Sequence, residues 1–432
     1  MNAALLQSAW AQQFAGKTAV VVGAGKSGLA AAKLLHAAGA KVRLADSGEK
    51  VDKDALGAEL PFAEALIGPH TPEQFHGADW VVPSPGVRLR DIEPLLGAIP
   101  QDRVIAEMEL AAGFCTQPIL AVTGSNGKTT TVEMASYVLR AAGLKVFTGG
   151  NIGTPLSDFI LKGGMADALV LELSSFQLQT CHNFRPNAGV LLNIAPNHLD
   201  YHLDMEEYLS AKLRLFQAQT EEDLAVLPAD LAPSLPAGFT KARIKTFKGS
   251  GRIHAPFLPG AHNQENMEAV LAAVEVFGVE EAKAMALVIG FRSLPHRIQG
   301  IGEKRGVRFV DDSKATNLGA VAAALSAVHG PVRLLLGGVF KGGDPAELIP
   351  AMKDKVVQIG LFGGAREAFE KPLAGEFDLF YEEGLEAAVR RLFAEANPGE
   401  TILLSPATAS WDQYNGYAER GDHFRKIFEA LA

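Results

Sequence analysis

The chain has 432 residues, 48% of them hydrophobic and 44 of them glycine; this exceeds one ordinary core and implies about two to four domains. Its formal charge of −9, from 40 basic and 49 acidic residues, argues against nucleic acid or an anionic membrane as the main partner, since either requires a net basic face. Only Cys115 and Cys181 occur, which excludes a disulfide framework and a paired-cysteine zinc site and leads us to expect two buried, inert thiols in a reducing compartment.

Residues 1–17 lack the basic start and long apolar core of a secretion signal, and no run reaches the roughly 18 apolar residues that span a bilayer, so a soluble, cytoplasmic protein is expected. Residues 17–22 are a β-branched run, followed by Gly23-Ala-Gly-Lys-Ser-Gly28, an Ala/Leu-rich helical pattern over 29–38 and a second strand over 41–45 that ends at Asp46. This β-turn-α-β unit has a Gly-x-Gly-x-x-Gly turn and an acidic residue about 20 positions on, the layout of a dinucleotide fold. The signal is weak alone, because a phosphate-binding half without a redox cofactor, or glycines serving only a tight turn, reads the same way. Trp80-Val-Val-Pro-Ser-Pro-Gly86 is a strand cut off by prolines and a glycine, a rigid loop of the kind that meets ligands in open α/β sheets.

After a connector over 94–103, a new unit begins near Val104 and contains Ile119-Leu-Ala-Val-Thr-Gly-Ser-Asn-Gly-Lys-Thr-Thr130, an apolar strand running into a glycine-rich turn. It reads as a site for the phosphates of ATP: Gly124 and Gly127 let backbone N–H groups close around oxygens, Lys128 supplies a compact positive charge, and the Thr129 hydroxyl is placed to hold Mg²⁺ at a helix start. The usual loop has about four residues between its first Gly and the Gly-Lys pair; here only Ser125 and Asn126 intervene. Apolar strands follow at 168–171 and 188–192. Residues 227–238, rich in Pro and Ala, read as a surface excursion, and residues 258–266 as a turn leading into a helix over 267–277. A further boundary falls near Leu294, beyond which strand patterns at 307–310, 332–336, 356–361 and 401–404 alternate with Ala/Leu helices, the mark of a smaller doubly wound α/β domain.

An ATP loop beside a second glycine-rich turn disfavours an NAD-dependent oxidoreductase, since hydride transfer has no use for it. Leu171-Glu-Leu-Ser-Ser-Phe-Gln177 sets Glu172 at a strand end, and Asn193-Ile-Ala-Pro-Asn-His-Leu-Asp200 sets His198 and Asp200 past another. Carboxylate, hydroxyl and phosphate oxygens suit Mg²⁺, and an imidazole is tolerated. Equally, Glu172 reads as an exposed strand-end carboxylate and His198 as a hydrogen-bonded loop histidine.

Taken together, Thr123-Gly-Ser-Asn-Gly-Lys-Thr-Thr130, Glu172, His198-Leu-Asp200, His262-Asn-Gln-Glu-Asn266 and Leu294-Pro-His-Arg297 resemble, in order, the motifs of the Mur ligases, ATP-dependent amide-forming enzymes of bacterial cell-wall precursor synthesis. Asp311-Asp-Ser-Lys-Ala-Thr-Asn317 and Leu404-Ser-Pro-Ala-Thr-Ala-Ser-Trp-Asp412 resemble the D-glutamate-adding branch, and the Asp-Asn-Pro-Arg motif of the diaminopimelate-adding relatives is absent. The resemblance implies an α/β fold in three domains: a Rossmann-like UDP-substrate domain over 1–105, a central P-loop-type ATPase domain with a mostly parallel sheet over 106–294, and a Rossmann-like amino-acid-binding domain over 295–432.

It implies that ATP phosphorylates the carboxylate of UDP-N-acetylmuramoyl-L-alanine and that D-glutamate attacks the acyl phosphate, with two Mg²⁺ ions, no NAD, small molecules as the only partners and a monomeric state. Gly124, Ser125, Asn126, Gly127, Lys128, Thr129 and Thr130 would hold the ATP phosphates, Asn263 and Asn266 the adenine side, and Arg297, Asp312 and neighbouring His296 the phosphate and ribose. Thr129, Glu172, His198 and Lys212, the last if carbamylated, would bind metal, and Lys128, Glu172, His198 and Lys212 would form the catalytic set. Gly23, Gly25, Lys26, Ser27, Gly28, Asp46, Ser47, Ser84, Gly86, Asn151 and His198 would meet the UDP substrate. Lys314, Thr316, Lys341, Ser410 and Tyr417 would meet D-glutamate, Tyr417 standing where the family commonly has Phe. Without the resemblance, Lys212 reads as a solvated helix lysine, Lys341 as an exposed one, and Asn263, Asn266 and Asp312 as ordinary capping and turn residues. Two other readings stay open: a sibling ligase with another acceptor, such as a folate glutamylating enzyme, and a non-catalytic ATP sensor.

Overall fold

The computed structural model describes residues 8–48, 51–198, 201–255, 258, 260–292 and 295–431. Leu199 and Asp200 of the histidine motif, Leu294 at the expected boundary and residues 1–7 lie outside them.

Three sheets follow one another along the chain. The first contains β1 (Thr18–Val22), β2 (Lys41–Asp46), β3 (Glu64–Ile67) and β4 (Trp80–Pro83), all parallel, in the order β3-β2-β1-β4. The second contains β5 (Ile119–Thr123), β6 (Val146–Gly150), β7 (Ala168–Glu172), β8 (Ala188–Leu191), β9 (Leu224–Pro228) and β10 (Arg243–Phe247), again all parallel, in the order β10-β9-β8-β5-β7-β6. The third contains β11 (Gln299–Lys304), β12 (Val307–Asp311), β13 (Val332–Gly337), β14 (Val356–Phe362), β15 (Leu379–Glu382) and β16 (Thr401–Leu404), in the order β11-β12-β16-β13-β14-β15, with only the edge strand β11 antiparallel.

Every residue of β5, β7, β8, β9, β13 and β16 is buried, which explains their largely apolar runs: helices cover both faces of a parallel sheet, so no side of the strand faces water. Residues 227–238 are therefore only in part an excursion, because Leu227 and Pro228 close β9 in the interior. Cys181 is buried as expected, but Cys115 is only half-buried; burial pushes the Cys115 thiol up to about 12 and the Cys181 thiol well above its ordinary value, so neither forms a thiolate near neutrality.

The apolar cores show how the units are joined. Helix α1 (Lys26–Ala37) buries Ala31, Leu34 and Leu35 in one cluster with Met108, Leu110, Leu156 and Leu171, so the first unit shares a core with one face of the second sheet. The clusters on either face of the third sheet contain no residue before Ile298. That unit carries its own core and meets the second both through polar contacts, Lys314 to Thr129 and Asn317 to Asn126, and through packing of the helix Leu318–Ala327 on the helix Ala261–Val274. No helix among the described residues is long and apolar enough to cross a membrane.

Candidate active site

Strand order decides where side chains converge. In the first sheet the order reverses between β1 and β4, so the turns after those strands flank one crevice, the position at which open α/β sheets bind ligands. A cavity of about 590 Å³ lies there, lined by Gly23, Gly25, Lys26, Ser27, Asp46, Ser47, Ser84 and Gly86, and closed from the second unit by Asn151, Gly153 and Gln177. Lys26 Nζ donates to the Gly153 carbonyl at 2.8 Å, tying the glycine turn across the junction. Asp46 accepts the backbone N–H groups of Ala24 and Gly48 at 2.5 and 2.6 Å and so fixes the turn as well as lining it. Gly28 does not line the cavity; a Cβ there would lie 1.9 Å from the Gly23 carbonyl, so its requirement is the close seating of α1 on the turn.

The turn after β5 enters helix α2 (Lys128–Ala141) through Gly127, whose left-handed φ of 82° and 2.6 Å gap between a built Cβ and Asn266 Oδ1 admit only glycine. Lys128 is thus the first residue of a helix and not part of a surface loop. Asn193 shapes the turn from β8: its carbonyl accepts Ser125 N–H at 3.0 Å and its side chain accepts Asn126 N–H at 2.9 Å. Lys128 Nζ donates to the carbonyls of Gly124 and Ser125 at 2.7 and 2.9 Å.

Lys212 corrects its reading as a solvated lysine. It lies on helix α3 (Met205–Gln217), 1% exposed, with Nζ 3.0 Å from Gly124 O and 4.5 Å from the Tyr208 ring centroid. Burial pulls its amine well below the ordinary value, and the charge of Lys128 pulls it further.

A cavity of about 720 Å³ opens over this turn. Ser125, Asn126, Gly127, Lys128, Thr129, Asn151, Glu172, His198, Arg297, Lys314, Thr316, Lys341, Ser410 and Tyr417 line it. Glu172 is buried rather than exposed; Oε1 accepts from Asn151 Nδ2 at 2.8 Å, while Oε2 has no hydrogen-bond partner among the described residues. His198 holds a left-handed φ of 58° and meets the Phe176 ring edge-on at 4.7 Å. No cluster of three His, Cys, Asp or Glu that could hold a metal occurs among the described residues. One spare carboxylate oxygen in a cavity that Thr129 also lines fits Mg²⁺, which takes few protein ligands and completes its shell with phosphate and water.

From the third unit, Lys314 Nζ reaches Thr129 Oγ1 at 3.2 Å and lies 4.9 Å from the Tyr417 ring centroid. Burial, then the charge of Arg297, lowers its amine to about 8. A narrower pocket of about 80 Å³ continues past Gly127 and is lined by Thr130, Asn263, Asn266, Arg297 and Asp312. Helix α4 (Ala261–Val274) begins at Ala261, earlier than the expected 267, so Asn263 and Asn266 sit inside a helix and not in a turn before one. Asp312 accepts from Ser405 Oγ at 2.8 Å and Ile298 N–H at 3.2 Å, and burial raises its carboxyl to about 7. His296 lines none of these cavities: its Nδ1 lies 2.7 Å from Asp311 Oδ2, and the ring packs on Gly421. It buttresses the segment that presents Arg297.

Residues 17–103 match the Mur ligase MurD-like N-terminal domain, 122–251 the Mur ligase middle domain and 296–408 the Mur ligase glutamate ligase domain. The chain is similar to the UDP-N-acetylmuramoylalanine–D-glutamate ligases of Desulfovibrio desulfuricans, 49% identical over 425 residues, and Nitratidesulfovibrio vulgaris, 47% identical over 426 residues, each alignment covering 96% of this chain and 97% of the relative. It belongs to the Mur ligase family. A MurF ligase from Thermotoga maritima in complex with ADP shares the fold, with a TM-score of 0.63 at 19% identity over 90% of this chain and 96% of that one.

Several residues of this Mur ligase site escaped sequence reasoning. Asn317, at the end of the loop after β12, lines the large cavity and donates to Asn126 Oδ1 at 3.3 Å; as a helix-capping residue it carries no separate signal in the sequence. His262 lines the narrow pocket next to Asn263. Asn193 had no local signal, because its partners are Ser125 and Asn126 on another strand's turn.

Proposed function

We infer that the chain joins D-glutamate to UDP-N-acetylmuramoyl-L-alanine at the expense of ATP, as an acid–amino-acid ligase of peptidoglycan precursor synthesis. One observation carries this reading: the phosphate turn and the cationic loops of the third unit share one cavity, with Lys314 in contact with Thr129, and Asn151 opens the same cavity to the glycine turn of the first sheet.

In this reading the pyrophosphate of the UDP substrate lies against residues 23–28, with Asp46 and Ser47 toward uridine and Ser84, Gly86 and Asn151 toward the sugar, and its carboxylate reaches the turn after β5. A carboxylate oxygen bonds to the γ-phosphorus of ATP as the bridging P–O bond breaks and ADP leaves. The amine of D-glutamate then attacks the carbonyl carbon; a C–N bond forms, the C–O bond to phosphate breaks, and the nitrogen loses a proton. Lys128 places its charge on the β- and γ-phosphates during transfer. Thr129 and Glu172 would hold one Mg²⁺, and His198 with carbamylated Lys212 a second. Such ions neutralise charge on the phosphoryl group.

The lowered amine of Lys212 supports carbamylation, since a neutral amine is the form that adds CO₂. Asn263 and Asn266 face adenine, Arg297 and Asp312 phosphate and ribose. Lys314 and Lys341, with Thr316 and Ser410, supply the cations and donors that two carboxylates require, and Tyr417 an aromatic wall. The protein acts on small molecules, as a monomer, in the cytoplasm.

Phosphate release should require ATP, Mg²⁺, UDP-N-acetylmuramoyl-L-alanine and D-glutamate together. Equal turnover with L-glutamate or meso-diaminopimelate refutes the specificity, and a saturable NAD titration by fluorescence would revive the oxidoreductase reading.

A further inference from the structure

Arg420 lies in helix α5 (Tyr417–Ala430), 0% exposed, and forms no ion pair among the described residues. Its guanidinium donates instead to oxygens of three separate loops. Nε reaches Ser313 Oγ at 3.0 Å and one terminal nitrogen the Ser313 carbonyl at 2.7 Å; that nitrogen also meets the Thr408 carbonyl at 3.1 Å, and the other terminal nitrogen meets the Gly337 carbonyl at 3.1 Å. These loops leave β12, β16 and β13, three neighbouring strands at the centre of the third sheet. They carry Lys314 and Thr316, Ser410, and Lys341, while Tyr417 stands one turn before Arg420 on the same helix and its carbonyl accepts from Ser313 Oγ at 2.8 Å. Val339 and Ala409 exchange backbone hydrogen bonds of 2.8 and 3.0 Å, which pins two of the loops together above the guanidinium.

A buried charge with no carboxylate in ion-pair contact is costly for stability alone, and an apolar side chain would fill the volume more favourably. A planar fork with several donors is suited to fixing backbone carbonyls in mutual register, which a lysine cannot do.

We propose that Arg420 is a positioning residue that sets the spacing of the three loops around the acceptor amino acid. The inference rests on the D-glutamate reading of that pocket. Two carboxylates must be gripped while the amine stays on line with the acyl carbon, so a loop displaced by a fraction of an ångström weakens the grip on this substrate and leaves the nucleotide and UDP subsites intact.

The test is steady-state kinetics of the full chain with each substrate varied in turn. Arg420→Lys should raise KM for D-glutamate by about tenfold or more, while KM for ATP and for UDP-N-acetylmuramoyl-L-alanine stays within about threefold. Ser313→Ala, which removes the hydroxyl's contacts with Arg420 Nε and the Tyr417 carbonyl and keeps the guanidinium, should shift the same KM in the same direction by less. A merely structural role predicts a lower unfolding temperature with all three KM values unchanged, and that result in whichever variant folds overturns the proposal. If the unaltered chain fails to use D-glutamate, the functional reading falls; if it uses D-glutamate and neither variant changes that KM, only the role of Arg420 falls.

Discussion

Lys128 and Lys212 donate to the same oxygen, the carbonyl of Gly124, at 2.7 and 3.0 Å. Two amines so close cannot both carry full charge cheaply, and burial is the larger part of the depression at each. Lys128 faces the cavity, while Lys212 sits buried behind the turn. The two amines therefore differ in access, Lys128 half-buried at the cavity wall and Lys212 enclosed behind the turn.

Lys128→Ala should abolish phosphoryl transfer. Among the described residues its amine bonds to two carbonyls of its own turn, so the unfolding temperature should change little. Activity surviving within about tenfold, or about 1.4 kcal/mol of barrier, would show that the turn does not grip the nucleotide.

Lys212→Ala should lose activity, and added short-chain carboxylic acids should restore part of it by occupying the place of a carbamate. The unaltered protein should weaken in CO₂-free buffer and recover with bicarbonate. Full activity after exhaustive CO₂ removal, with no extra mass on Lys212 in native mass spectrometry, argues for an unmodified amine.

Lys314 yields a pH dependence. Its folded pKa of about 8 lies below the ordinary 10.5, so the cation is present below about pH 8 and is lost above it. KM for D-glutamate should therefore climb from about pH 8 upward, approaching tenfold per pH unit at most. Between the two pKa values the unfolded chain binds more protons than the folded one, so the same group makes folding stability rise with pH there. Lys314→Arg keeps its charge and should flatten the KM profile; an unchanged slope in that variant assigns the effect to another group.

Asn151 lines both large cavities and holds Glu172 Oε1. Asn151→Ala should raise KM for the UDP substrate and the Mg²⁺ concentration needed for half-maximal rate together. A rise in only one of the two would separate the subsites that this side chain links.

Sequence made the local demands legible. Gly127 and Gly28 are dictated by backbone conformation and close approach, which a motif records directly, and the strands buried on both faces announce themselves as apolar runs. Edge strands did not: β10 exposes Arg243, Ile244 and Thr246, and β11 contains two glycines, so neither has a periodicity that separates it from loop. Lys212 was ambiguous because a lysine on an amphipathic helix looks solvated until the helix is seen to pack behind the phosphate turn. Adjacency to Arg297 does not tell where His296 points: with a left-handed φ of 63° its ring meets Asp311, while Arg297 lines the cavity. Arg420 had no signal, because its acceptors lie 12 to 107 positions away.

Among the described residues, the apolar clusters of the third unit contain no residue before Ile298. On the proposed placement of the amino-acid pocket in that lobe, replacing it by its counterpart from a related ligase should exchange the monomer that is added while the fuel and the nucleotide-linked sugar stay the same. Lineages could diversify the peptide stem by swapping one lobe and leave the costly triphosphate machinery untouched.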